Sequence, residues 1–154
     1  MKTALAIIAG LAFGVAGVTP AFAWHLIPES SDFTGSGNTS ATKSGITLKC
    51  TAKFTGDTDA NGIGYITGGS FTGEVGCSSV TLQNLPWKSE AVNKTTVDIQ
   101  DVTFDSPIGN CGPSTLSTKL RSGTVSFTNA QLSGNCTVSG KIKTSPKLSI
   151  ASGD

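Results

Sequence analysis

Four cysteines, Cys50, Cys77, Cys111 and Cys136, are the residues of this chain whose chemistry is easiest to predict. Zinc binding is one use for them, but the sequence has no C-x-x-C pair and no histidine near any cysteine. An even number of cysteines in an exported chain predicts two disulfides instead. Nearly equal separations favour Cys50–Cys77 and Cys111–Cys136, because each pair then joins strands that we expect to be neighbours. Loop entropy leaves the other pairings open, since a much longer loop changes the stabilisation by only about 1 kcal/mol.

Catalytic chemistry has little to build on in this sequence. His25 is the only histidine, so a Ser-His-Asp or Cys-His site would have to use it, and no G-x-S-x-G motif is present. Asp98 together with Asp101 or Asp105 could form a pair of carboxylates, but acidic residues on the water-facing side of a strand are the ordinary explanation. We therefore predict no catalytic residues and a protein that is not an enzyme.

The segment Asp57–Gly62 matches the first half of a calcium-binding loop, with oxygen ligands at alternate positions and a glycine sixth. The second half does not follow, because Gly68 stands where a bidentate glutamate belongs. A polar turn, in which Asp and Asn bond their own backbone and Gly62 takes a positive φ, explains the same residues. We predict neither a metal site nor a cofactor.

Residues 1–23 are predicted to be a secretory signal peptide. Lys2 supplies the positive end, Ala4 to Val18 the apolar core, and Ala21-Phe22-Ala23 an A-x-A cleavage site. The apolar run is shorter than the roughly 20 residues of a membrane-spanning helix and contains three glycines. We therefore expect a secreted, extracellular product without a transmembrane anchor.

The full sequence has 11 basic and 10 acidic side chains. Removal of Lys2 with the leader would leave 10 of each, so the net charge of the mature chain would be zero. A neutral chain has no general electrostatic attraction for nucleic acid, so we predict no nucleic-acid partner. The remainder is rich in Gly, Ser and Thr, a composition that suits strands and turns better than helices.

The elements that must position the cysteines are strands. Between Gly45 and Gly56, apolar residues alternate with threonines and lysines without a fault, which predicts a strand with one buried face that includes Cys50. In the strand from Thr95 to Phe104, the apolar residues stand at odd positions before Asp101 and at even positions after it. This change predicts a bulge near Asp101.

About eight short strands with turn signals between them predict an all-β fold, either an antiparallel β-sandwich of Greek-key or immunoglobulin-like type, which we prefer, or a Greek-key barrel. We assign residues 45–154 to this domain and residues 24–44 to an extended N-terminal arm with strand character only at Asp32–Thr34. The predicted core comprises Ile46, Leu48, Phe54, Phe71, Val75, Val125, Phe127 and Leu132.

A set of short motifs occurs in a fixed order: Asp32–Gly37, Ser44–Gly56, Gly69–Gly73, Cys77, Asn84–Trp87 and Cys111–Thr115. Together they resemble the Pra family of secreted protein activators of alkane oxidation, most closely from Phe33 to Trp87. The resemblance implies a small, matrix-associated, non-enzymatic protein that promotes alkane use by emulsification or surface contact. It implies no active-site residues.

The expected partner is a hydrocarbon or a cell surface. Contact with oil needs apolar surface or a fold that opens at the interface, and Trp24, Phe33 and Trp87 are candidate contact residues that could equally be packed inside. The alternative function is a self-assembling subunit of an extracellular fibre or biofilm matrix, in which the arm of one copy adds to a sheet edge of the next.

Overall fold

A computed structural model describes residues 24–153, and the predicted signal peptide, residues 1–23, lies outside the described residues. The described chain forms eleven strands and one turn of 3₁₀ helix at Cys77–Ser79. The strands are β1 Trp24–Ile27, β2 Asp32–Lys43, β3 Ile46–Thr58, β4 Gly64–Gly73, β5 Thr81–Gln83, β6 Trp87–Ala91, β7 Thr96–Asp105, β8 Cys111–Arg121, β9 Thr124–Leu132, β10 Cys136–Ser145 and β11 Ser149–Ser152. The prediction of an all-β fold is confirmed.

The main sheet closes on itself as an antiparallel barrel of eight strands. In chain order β2, β3, β4, β6, β7, β8, β9 and β10 each pair with the next, and β10 pairs back onto β2. The short β5 pairs with the end of β7 that β6 does not reach. The architecture is therefore a closed meander barrel rather than the predicted sandwich, because these eight strands pair in chain order into one ring and do not divide into two stacked sheets.

Residues 24–44, predicted as an extended arm, supply the strand that closes this barrel. β2 pairs with β3 from Asp32 opposite Asp57 to Lys43 opposite Ile46, and its other side pairs with β10. A Cβ at Gly35 would lie 2.8 Å from Ile142 Cγ2 of the neighbouring strand β10. Close packing inside the barrel, rather than a loop, accounts for this glycine.

One end of the barrel is covered by an antiparallel ribbon of β1 and β11, and we call it the ribbon end. Leu26 of β1 and Leu148, just before β11, are almost completely buried against the core. The Leu26 amide also donates to the Gly62 carbonyl of the β3–β4 loop at 2.8 Å. The ribbon therefore acts as a hydrophobic lid anchored to the barrel rim.

The opposite end carries both disulfides, and we call it the disulfide end. Cys50 is bonded to Cys77 and Cys111 to Cys136, with Cα–Cα distances of 5.6 and 5.7 Å. This is the sequential pairing that the spacing favoured. The ammonium of Lys43 donates to the Asn110 carbonyl at 2.6 Å and ties the β7–β8 loop to the β2–β3 hairpin.

Interior phenylalanines lie directly opposite glycines of a neighbouring strand. The register places Phe33 opposite Gly56, Phe54 opposite Gly69 and Phe127 opposite Gly140. A Cβ at Gly140 would lie 2.5 Å from Phe127 Cζ, and one at Gly56 would lie 2.6 Å from Phe33 Cζ. Each ring thus covers the backbone of a glycine, an arrangement that fixes the register of the strands.

The predicted core is correct at six positions and wrong at two. Leu48 and Leu132 are buried, and the others pack against the core with partial exposure: Phe54, Phe71, Val125 and Phe127. Ile46 is 57% exposed, because β3 begins there beyond the barrel rim. Val75 is fully exposed, because β4 ends at Gly73 and Val75 lies in the following loop. Alternation along the sequence predicts which side chains face the core only for residues that lie within the paired part of a strand.

Candidate binding site in the barrel interior

The barrel encloses two apolar cavities, one towards each end. The cavity at the disulfide end has a volume of about 80 Å³ and contacts Leu48, Phe71 and Leu82. The cavity at the ribbon end has a volume of about 100 Å³ and contacts Leu26 and Ile142. No charged side chain lines either one.

A set of large side chains separates the two cavities and contacts both of them. The set, which we call the partition, consists of Phe54, Trp87, Val102, Leu116 and Phe127. It contains no backbone segment crossing the barrel, so rotamer changes alone could join the two spaces. The interior is therefore one apolar compartment divided by side chains.

Hydroxyl groups that face the ribbon-end cavity are bonded to the backbone. Thr118 donates to the Val97 carbonyl at 2.8 Å, and Thr144 donates to the Gly123 carbonyl at 2.7 Å while accepting from the Leu148 amide at 2.9 Å. The indole N–H of Trp87, in the partition, is likewise bonded to the Gln83 carbonyl at 2.7 Å. These residues present methyl groups and ring carbons to the cavity. An apolar ligand would therefore make favourable contacts, whereas a polar ligand would find few free hydrogen-bonding groups.

The barrel wall is interrupted between β4 and β5. β4 pairs with β3 along its length, but with β6 only through residues 64–66. Beyond Ile66 its neighbour is β5, whose backbone pairs with β7. The two strands meet through side chains instead, since a Cβ at Gly69 would lie 2.7 Å from Leu82 Cδ1. We call residues 68–73 and 81–83 the seam.

The β8–β9 ladder is also short, joining Lys119–Arg121 to Thr124–Ser126. Those strands meet again towards the disulfide end, where the Gly112 amide donates to the Ser133 carbonyl at 2.9 Å. The Ser133 amide also donates to the Ser114 hydroxyl at 2.7 Å. No such hydrogen bonds join the described strands β4 and β5 across the seam.

Two of the three candidate contact residues are inside the barrel. Phe33 is 9% exposed and Trp87 is 4% exposed, so of the two alternatives left open for these residues, packing inside the protein is the one that the structure favours. Phe33 covers Gly56, and Trp87 stands in the middle of the barrel, where it contacts both cavities. Trp24, in the ribbon, is half-buried. The sequence does not reveal the interior location of Trp87, because Trp87 directly follows Pro86 and is the first residue of β6.

The residues considered for catalysis are not gathered at the cavities. His25 Nε2 lies 3.0 Å from Glu29 Oε1 in the ribbon, and Asp98, Asp101 and Asp105 are absent from both cavity linings. Asp59 Oδ1 accepts from the amides of Asn61 and Ile63. That carboxylate forms the polar turn described above as the alternative to a calcium loop.

Large apolar side chains that are exposed lie in separate places. They are Ile46 at the start of β3, Val75 after β4, Leu85 before β6 and Val92 after β6. Most large apolar side chains of the described chain are therefore buried or partly buried. In the same part of the chain, no helix is long and apolar enough to cross a membrane.

Fold and site together define a small disulfide-bonded β-barrel protein with an apolar interior. The chain belongs to the alkane oxidation protein activator PraA/PraB-like family, whose model matches residues 1–152. The resemblance seen in the sequence motifs is thereby confirmed. Neither the curated proteins nor the solved structures contain a match to the chain.

Sequence reasoning missed the interior compartment itself. The signal that could have revealed it is the spacing of glycines and phenylalanines on successive predicted strands, as in Gly35, Phe54 and Gly69. These three residues lie side by side on β2, β3 and β4. Their adjacency depends on the register between strands, which a single strand pattern does not contain.

Proposed function

We propose that this protein is a secreted, non-enzymatic and matrix-associated accessory of alkane use, which acts by emulsification or surface contact with hydrocarbon. The observation that carries the proposal is the apolar interior of the barrel, in a chain whose family is named for activation of alkane oxidation. An apolar compartment lined by carbon favours hydrocarbon over polar solutes.

The location of the apolar surface bears on how contact would be made. Phe33 and Trp87 are buried, and the large apolar side chains that are exposed in the described chain lie at four different loops or strand ends. A permanently amphiphilic outer face would require a contiguous apolar patch instead. Contact with oil therefore involves either opening of the barrel at the interface or uptake of hydrocarbon into it.

Growth on alkane tests the accessory role. A deletion strain should grow more slowly than its parent on a long-chain alkane and equally well on a water-soluble carbon source. Purified mature protein added to the medium should restore growth on the alkane, and heat-unfolded protein serves as the control. Equal growth of both strains on the alkane would contradict the proposal.

A second candidate function, a self-assembling matrix subunit, is favoured by one specific feature. The outer edge of β4 beyond Ile66 is unpaired by any described strand, and such an edge can accept a strand from another molecule. The donor cannot be residues 24–44 of a folded copy, because β2 is paired on both sides. Lys49 and Lys53 lie on β3, which is paired on both sides, so their charges protect no sheet edge.

Electron microscopy distinguishes this candidate from a monomeric accessory protein. If the β4 edge mediates assembly, purified protein should form filaments, and Ser70→Lys, which adds a charge to that edge, should reduce them. Thr51→Lys on β3, a strand paired on both sides, is the matched control and should leave the filaments intact. A monodisperse monomer at all concentrations would rule out the matrix role.

A further inference from the structure

We propose that the folded barrel binds one unbranched alkyl chain in its interior, which reaches the cavities through the seam between β4 and β5. The choice of a hydrocarbon as the natural ligand rests on the proposed function, whereas the cavity and the seam are features of the fold. Uptake into an intact barrel differs from unfolding at an oil interface, because it is saturable and depends on individual cavity residues.

The chemistry of the lining selects an aliphatic ligand. Neither cavity has a charged side chain, and the hydroxyls of Thr118 and Thr144 are used by backbone carbonyls. An ionised head group placed among these residues would lose its hydration without gaining a partner. A methylene chain loses no hydrogen bond on transfer and gains dispersion contacts on all sides.

The size of the compartment favours a narrow, flexible ligand. Each cavity, at about 80 or 100 Å³, is smaller than the apolar cavity of roughly 150 Å³ that is known to take up benzene. The two cavities joined would exceed that size. A linear chain can lie across the partition when side chains such as Phe54 and Phe127 change rotamer. A bulky or branched ligand would need the whole partition to move.

Opening of the seam would disrupt no described backbone ladder. Phe71 of β4 and Leu82 of β5 both contact the disulfide-end cavity and are both only partly buried, so they stand between solvent and the interior. The ring of Phe71 packs edge-on against Phe54 of the partition, with centroids 5.7 Å apart. If an incoming alkyl chain displaced Phe71, Phe54 of the partition would therefore lose its contact with the Phe71 ring and could move.

Trp87 provides a reporter for binding, because it lies in the partition and contacts both cavities. The chain has two tryptophans, so Trp24→Phe leaves Trp87 as the sole one in the mature protein. Dissolved 1-bromooctane should quench its fluorescence saturably, since bromine quenches an indole that it contacts. Unbrominated n-octane should compete and restore the emission, whereas the polar 8-bromooctanoate should quench far less.

Filling the cavity tests whether the quencher is inside. Ala41→Phe places a ring in the disulfide-end cavity and should weaken the affinity for 1-bromooctane by roughly tenfold or more. Ser36→Phe adds the same ring on the exposed face of the same strand and should leave the affinity unchanged. Val138→Leu, a smaller enlargement in the same lining, provides a milder variant if Ala41→Phe does not fold, and it should also weaken binding.

The route is tested by the rate of quenching. Leu82→Ala removes the side chain that closes the seam at Gly69 and should accelerate the onset of quenching severalfold in stopped flow. Leu85→Ala, three residues along and outside both cavity linings, should leave the rate unchanged. An unchanged rate in Leu82→Ala would overturn access through the seam.

Failure of this inference is distinguishable from failure of the proposed function. Absence of saturable quenching, or quenching equally strong in every cavity-filling variant, would overturn interior binding even if the protein restores growth on alkane. Saturable quenching that Ala41→Phe abolishes would support interior binding even if the deletion strain grows normally. In the latter case the accessory role, and not the binding site, would be withdrawn.

Discussion

At the scale of single residues, burial depends on position along the barrel as much as on residue type. Leu48 and Ile46 belong to the same alternating set, yet Leu48 is 8% exposed and Ile46 is 57% exposed. Leu48 packs beside the Cys50–Cys77 disulfide and lines the disulfide-end cavity. The same alternation correctly places Thr47 on the outside, where its hydroxyl meets that of Thr42 at 2.8 Å.

Replacing Leu48 by Ala should therefore lower the free energy of unfolding by roughly 2–5 kcal/mol, as expected for a buried leucine next to an existing cavity. Thr47→Ala, at the exposed neighbouring position, should change it by less than about 0.5 kcal/mol. Urea denaturation of the disulfide-intact proteins measures both values. Similar losses at the two positions would show that the face assignment of β3 is wrong.

At the scale of strands, glycine and phenylalanine form a matched pair across the ladder. Phe127 on β9 lies opposite Gly140 on β10, and the glycine leaves the space that the ring occupies. On β7 the predicted bulge is confirmed, because the register shifts between Ile99 and Val102 and Asp101 has a φ of 57°. The bulge returns Val102 to the interior, where it joins the partition.

Gly140→Ala should destabilise the protein by about 1–3 kcal/mol, because a methyl group there overlaps the Phe127 ring. The same substitution in a Phe127→Leu background should cost much less, since the smaller side chain vacates the space. A double-mutant cycle on unfolding free energies measures this coupling. Equal costs in the two backgrounds would indicate that the glycine serves the backbone and not the ring.

At the scale of the whole molecule, the two ends of the barrel are stabilised by different means. Hydrophobic packing of Leu26 and Leu148 closes the ribbon end, whereas two disulfides and the Lys43–Asn110 hydrogen bond restrain the loops of the disulfide end. The disulfide-end cavity and the seam lie on the restrained side. Reduction should therefore loosen that side before the ribbon end.

Hydrogen exchange followed by mass spectrometry checks this expectation. After reduction, amide protection should fall first in residues 73–80 and 106–111, which flank the bonded cysteines, and last in β1 and β11. Before reduction, the intact mass should correspond to a chain starting at Trp24 with two disulfides. Free thiol in the untreated protein would contradict the covalent form, and simultaneous loss of protection at both ends would contradict the division into two ends.

The sequence by itself determined the all-β class, the inward face of β3 and the bulge in β7, because alternation is a local property of the chain, and the cysteine spacing favoured the observed disulfide pairing without excluding the others. It also determined the family, through motifs that occur in order. Only the tertiary structure decided that β2 closes a barrel, that Trp87 stands at its centre, and that Gly35, Phe54 and Gly69 lie side by side. These features depend on which strands pair and in which register, and a shift of one residue would exchange the inside of the barrel for the outside.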